Sequence, residues 1–267
     1  MTTEQSLTLH PEQQLLDERI EELKQEFLAL YVQHTDMIDN QKPILSSIYY
    51  REIGVFQLEL LEKETEASRL KMKIKMIQAA YNKGIEPDLT QIEMDLSAQL
   101  RAFYEQMQEQ AQIIEEADKL LSSLMSPEET KKIRDLFRLL TKRLHPDLNP
   151  HQTEEEKDLY IKVIAAYDLN RINELQEILL YLDGVDYQSK ALAKSDKQQH
   201  IDSLKQRIHV LTAKIAALYD SFPFIMKDYL IDDNAVAQKQ EELKVLIQAA
   251  EDEITKYQAT LKLMLDE

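Results

Sequence analysis

The sequence predicts an all-α protein in which a central helical hairpin is flanked by long antiparallel, coiled-coil-like helical hairpins. Apolar residues recur at alternating steps of four and three over long stretches, the signature of a helix facing a partner helix. Only 3 glycines occur in 267 residues, too few for the turns of a sheet-rich fold. The stretches between turn signals are rich in glutamate, lysine, glutamine and alanine, which favour helix.

The first seam runs Leu16, Ile20, Leu23, Phe27, Leu30, His34 and Met37, with Pro11 suited to a first helical position. Asn40 to Pro43 predicts its end, since proline lacks the N–H that a helix interior needs. A second helix is expected from about Ile44 to Asn82, closed by Gly84. Within it, Leu70-Lys-Met-Lys-Ile-Lys-Met76 alternates as a strand would, but its surroundings carry no turn signals, so helix is expected there too. Near the carboxyl end, Ile201, Leu204, Ile208, Leu211, Ile215 and Leu218 form one seam, broken at Pro223. Val236, Gln240, Leu243, Ile247, Ala250, Ile254, Tyr257, Leu261 and Met264 form another after Asp233-Asn234. Heptads leave open whether such seams pair within one chain or between two copies as a homodimer.

Composition excludes several functions. Gly54, Gly84 and Gly184 are too dispersed for a phosphate-cradling loop, and the absence of cysteine removes thiol catalysis and thiolate metal sites. A formal charge of −17 opposes nucleic-acid binding. No apolar run approaches the ~18–20 residues that span a bilayer. The amino terminus lacks the basic and apolar parts of a secretory leader, so a cytoplasmic protein without membrane attachment is expected. No cofactor, metal or catalytic residue is expected.

The centre of the chain is the most specific part. Residues 86–130 carry eleven acidic side chains against Arg101 and Lys119. The sign then reverses: Lys131, Lys132, Arg134, Arg138, Lys142 and Arg143 face only Asp135 within the same stretch. Ser126-Pro-Glu-Glu129 is a capping box that opens a helix whose apolar face is Ile133, Phe137, Leu140 and Leu144. Pro146 disfavours helix at His145 and so ends it. Thr153-Glu-Glu-Glu156 is a second capping box, starting a helix with Tyr160, Val163, Ile164 and Tyr167 on its facing stripe. The product is an antiparallel hairpin with a polar connection from His145 to Thr153.

The run Ile133…Phe137-Arg-Leu-Leu140-Thr-Lys-Arg-Leu-His145-Pro-Asp147-Leu-Asn…Tyr160…Val163…Ala166-Tyr167 resembles the J domain of DnaJ-like cochaperones. The resemblance covers roughly residues 112–183. It departs from the family in three places: a Tyr-x-x-Leu-Gly first-helix signature is absent, Leu148 follows the tripeptide where arginine is frequent, and Asn170 replaces an aliphatic. The first helix's place is expected to be taken by Ile113, Ile114, Ala117, Leu120, Leu121 and Leu124. The resulting layout is an amino-terminal hairpin over 1–84, an acidic connecting helix over 85–111, the J-like region over 112–183 and a carboxyl-terminal hairpin over 190–267.

The resemblance implies a DnaK-type chaperone as partner, with hydrolysis of ATP belonging to that partner. Arg134, Arg138 and Lys142, widened by Lys131 and Arg143, would steer toward an acidic surface, and His145, Pro146 and Asp147 would make the orientation-dependent contact. The flanking helices would choose a client or partner protein. Simpler readings stand beside these. The cations also suit a solvated helix face, and His145 suits loop capping. His145, Asp147 and His151 are metal-ligand types, but they lack a fourth ligand. The alternative function is a structural, scaffolding coiled-coil protein whose J-like hairpin no longer activates a chaperone.

Overall fold

The computed structural model describes residues 11–183 and 194–265; the amino terminus read above for a leader, 184–193 with Gly184, and the last two residues lie outside the described residues. In chain order the helices are α1 (Pro11–Asp36), α2 (Lys42–Tyr49), α3 (Val55–Asn82), α4 (Leu89–Ser122), α5 (Pro127–Leu144), α6 (Glu154–Asp168), α7 (Ile172–Asp183), α8 (Lys194–Tyr219), α9 (Lys227–Ile231) and α10 (Asp233–Leu265). Every described element is helical, and the protein is all-α. None of the described helices is long and apolar enough to cross a membrane. Two compact units result: Met1–Pro43 with Met125–Ser221, and Ile44–Leu124 with Phe222–Glu267.

The expected stop at Asn40–Pro43 is absent. Helix continues from Pro11 to Asn82 through two π-helical segments, Met37–Gln41 and Tyr50–Gly54. In a regular turn Pro43 would leave the Asp39 carbonyl without a donor and press its ring against it. The π segment just before it widens the turn, so that the Lys42 N–H reaches back five residues to the Met37 carbonyl. At the second segment the Val55 N–H bonds the Tyr50 carbonyl in the same way. Gly54 lets the Tyr50 ring lie close there, since a β-carbon on it would meet Tyr50 Cδ1 at 3.0 Å.

In the first unit the partner of α1 is α8. Ile20, Leu23, Phe27 and Leu28 of α1 close against Ile201, Leu204, Ile208 and Leu211 of α8 in one buried cluster. The buried Lys197 extends this seam by pairing with Asp17 at 2.6 Å. The predicted seams are therefore real, but the expected hairpins over 1–84 and 190–267 are not. A heptad states that a helix has an apolar neighbour and leaves that neighbour's identity open.

In the second unit α3 packs on α10 and on α4. Leu70, Ile77, Ile92, Leu96 and Leu261 form one cluster; Ile53, Val236 and Leu243 form another. The alternating run 70–76 is helical, as its surroundings predict. Gly84 closes α3 with φ +69°, while Ile85 N–H bonds the Ala80 carbonyl at 3.1 Å and Gly84 N–H the Tyr81 carbonyl at 2.9 Å. Asp88 caps α4 by accepting from the Gln91 N–H at 3.0 Å. The acidic connecting helix is thus longer than 85–111, and Arg69 of α3 holds its Glu93 at 2.8 Å.

Leu204 is 1 % exposed whereas Val210 on the same helix is 44 % exposed. Leu204→Ala is expected to cost about 2–5 kcal/mol in urea unfolding, and Val210→Ala under about 0.5 kcal/mol. Equal costs would contradict the α1–α8 pairing.

Candidate functional site: a buried His-Pro-Asp loop

Both capping boxes form. Ser126 Oγ accepts from the Glu129 N–H at 3.2 Å, and Glu129 Oε2 accepts from the Ser126 N–H at 3.0 Å. Thr153 and Glu156 repeat the arrangement at the start of α6. Each cap satisfies amide donors that the first helical turn leaves without a partner. Ile133, Phe137, Leu140 and Leu144 meet Tyr160, Val163, Ala166 and Tyr167 in one core, with the Phe137 and Tyr167 rings stacked 4.0 Å apart. Leu175 and Leu182 of α7 complete it. Asn170, the departure noted above, adopts φ +54° and turns the chain from α6 into α7, a conformation asparagine tolerates better than an aliphatic residue.

The position against this hairpin expected of Ile113 to Leu124 is taken by α1. Tyr31 and Val32 pack on this core, and the Tyr31 ring lies 6.5 Å from that of Phe137. Residues 112–124 belong to the other compact unit, which corrects the expected boundary at 112. Tyr31 and Val32 supply the α1 surface packed on this core, while Phe27, one turn earlier, belongs to the α1–α8 cluster.

The loop begins where Pro146 demands. His145 has extended backbone (φ −70°, ψ 130°) while its N–H still bonds the Thr141 carbonyl at 2.9 Å. The His145 carbonyl then accepts from the N–H groups of Leu148 and Asn149, both at 3.0 Å. Asn149 Nδ2 donates to the Lys142 and His145 carbonyls, each at 3.2 Å. Gln152 Nε2 donates to the Leu144 carbonyl. These bonds fix the loop without glycine.

His145 is 6 % exposed. Its ring stands edge-to-face against three aromatic rings, Tyr31 at 4.5 Å, Phe27 at 5.0 Å and Tyr160 at 5.2 Å. Burial, and secondarily Arg207, lowers its pKa to about 4, so it is neutral near pH 7. Nδ1 accepts from the Asp147 N–H at 3.1 Å, so in the neutral ring the proton sits on Nε2.

Asp147 has an 11 % exposed side chain and is ion-paired with Arg207 of α8. Burial raises its pKa; the Arg207 charge and hydrogen bond act against that rise. Leu148, the second departure, is 2 % exposed and fills the α1–α8 cluster beside Leu23 and Leu204. An arginine there would place a charge in an apolar seam. Of the tripeptide, Pro146 alone is exposed.

The predicted cations divide. Arg134 Nε pairs with Asp36 at 2.6 Å, and Arg143 Nη1 with Asp183 at 2.5 Å. Lys142 Nζ is 3.9 Å from Glu21. Lys131, Lys132 and Arg138 are exposed and make no ion pair among the described residues. Asp36 is buried at the end of α1, where Gln41 Nε2 also donates to it at 2.7 Å. Asn40 Nδ2, beside it, donates to the Tyr167 hydroxyl at 2.8 Å. Burial, with Asp168 and Asp36 nearby, pushes Asp39 up to about 6.

Sequence reasoning did not find Arg207, Phe27 or Tyr31 as companions of the loop, nor Asp36 as the partner of Arg134. Two signals were present: the i, i+4 spacing of Phe27 and Tyr31, and a cation flanking the seam immediately before Ile208. Compared with known proteins, the chain matches no protein-family model, no curated protein and no solved structure.

The low pKa of His145 sets a pH dependence. Folding favours the neutral ring, so this contribution is complete above the unfolded value of 6.5 and is lost as pH falls toward about 4. The loss approaches about 3 kcal/mol at 1.36 kcal/mol per pKa unit. Urea unfolding at several pH values is expected to show a steeper acid loss between pH 6.5 and 4 in the parent chain than in His145→Gln. Parallel slopes would refute the buried neutral imidazole.

Proposed function

We propose that this chain is a cochaperone of the DnaJ-like type, which binds a DnaK-type chaperone and stimulates its ATP hydrolysis. The supporting observation is the α5–α6 hairpin: two capped helices joined by His145-Pro146-Asp147, with Lys131, Lys132 and Arg138 exposed on the basic helix. These cations raise the rate of encounter with an acidic surface, an effect that salt weakens. Pro146 is the exposed member of the tripeptide, and Asp147 supplies a carboxylate suited to a partner arginine. Hydrolysis is the partner's chemistry, and the remaining helices are the surfaces left for a client or partner protein.

One observation favours a second reading. Asp147 already has its arginine, from α8, and His145 lies beneath Phe27 and Tyr31. Under that reading the tripeptide is a structural joint, and the protein is a helical scaffold that does not activate a chaperone.

Single-turnover ATP hydrolysis by a purified DnaK-type chaperone separates the two. Addition of the full chain is expected to accelerate hydrolysis, and His145→Gln to abolish the effect while remaining helical by circular dichroism. The double variant Lys131→Glu/Arg138→Glu is expected to need an about tenfold higher concentration for half-maximal stimulation at low salt. Absence of stimulation by the folded chain and by the Arg207 variants described below would favour the scaffold.

A further inference from the structure

We propose that α8 is an internal competitor for the docking loop: Arg207 occupies on Asp147 the position that an arginine of the chaperone would take. The inference rests on the cochaperone reading and adds a closed state to it.

The geometry is that of one carboxylate with one occupant. Asp147 presents an 11 % exposed side chain, and Arg207 Nη1 already contacts its Oδ2. With the Asp147 side chain only 11 % exposed and Arg207 lying on it, a second guanidinium has to reach the carboxylate through the opening that Arg207 fills. The two arginines therefore compete for access to one nearly buried carboxylate.

The two sides of the latch differ in mobility. The α8 backbone is held in the seam by Ile201, Leu204 and Ile208, and Lys197 is tied to Asp17. The Arg207 side chain, by contrast, is 52 % exposed at the seam's edge. It can swing into solvent without parting α8 from α1. Asp147 is thereby uncovered while Leu148 stays in the seam and the hairpin core stays intact. Arg207 is the cation that acts on Asp147, opposing the rise in its pKa that burial causes. That single charge favours the ionised, paired carboxylate. An incoming arginine then replaces one cation by another, so the exchange needs no net change of charge in the loop.

Coupling of this type is a population shift: the chaperone sees only the fraction of molecules whose Asp147 is uncovered, and its apparent affinity falls by that fraction. Removing Arg207 removes the competitor.

The test uses the full chain in single-turnover hydrolysis by a DnaK-type chaperone, comparing the parent, Arg207→Ala, Arg207→Gln and Arg207→Ala/His145→Gln. The latch predicts that both single variants reach half-maximal stimulation at an about tenfold lower concentration than the parent. It also predicts that the double variant is inactive. Arg207→Gln keeps the side chain's bulk and hydrogen-bonding capacity, so it reports on the charge if Arg207→Ala loosens α8. Equal stimulation by the parent and both single variants would overturn the latch and leave the cochaperone reading standing. Absence of stimulation by all of them would overturn the cochaperone reading, and with it the competitor.

Discussion

The seam between α1 and α8 is the contact on which the surroundings of the His145–Asp147 loop depend. Leu23 and Phe27 on one side and Leu204 and Ile208 on the other exclude water from a strip that the loop after α5 then caps with Leu148. That strip brings Phe27 and Tyr31 over His145, and it carries Arg207 to Asp147. Without it, the hairpin of α5 and α6 would still have its caps and its core, but its loop would face solvent. Burial of a neutral histidine and of a paired aspartate both follow from this one apolar contact.

Charge is arranged locally as well. The basic helix α5 is partly neutralised by acids placed by other elements of its own unit: Asp36 on Arg134, Asp183 on Arg143 and Glu21 near Lys142. Asp36 sits where α1 passes into its π segment, and Asn40 and Gln41 of that segment join the same network. The widened turn that accommodates Pro43 thus also shapes the polar cluster that fastens α1 to the hairpin. The unpaired cations that remain, Lys131, Lys132 and Arg138 among the described residues, form a smaller patch than six basic residues in the sequence suggest.

Two departures from the J-domain pattern have local explanations. Leu148 is apolar because the seam of α1 and α8 closes over it, and Asn170 is polar and small because the chain turns there with positive φ. The neighbour of the hairpin follows the same logic: Tyr31 and Val32 on α1 supply the surface that packs on it, and residues 112–124 belong to the other unit.

The sequence by itself determined what depends on near neighbours. The all-α class, the two capping boxes, the end of α5 before Pro146, Gly84 closing α3, and the apolar faces of α5 and α6 all arise from dihedral preferences and caps within a few residues. Even the seams were legible as seams. Tertiary structure alone decided which seam met which, whether Pro43 stopped a helix or was absorbed by a π turn, and whether Asp147 faced solvent or Arg207. Heptads are interchangeable as local patterns, so pairing is settled by the fit of whole surfaces. An ion pair between residues sixty positions apart exists only once that fit has been made.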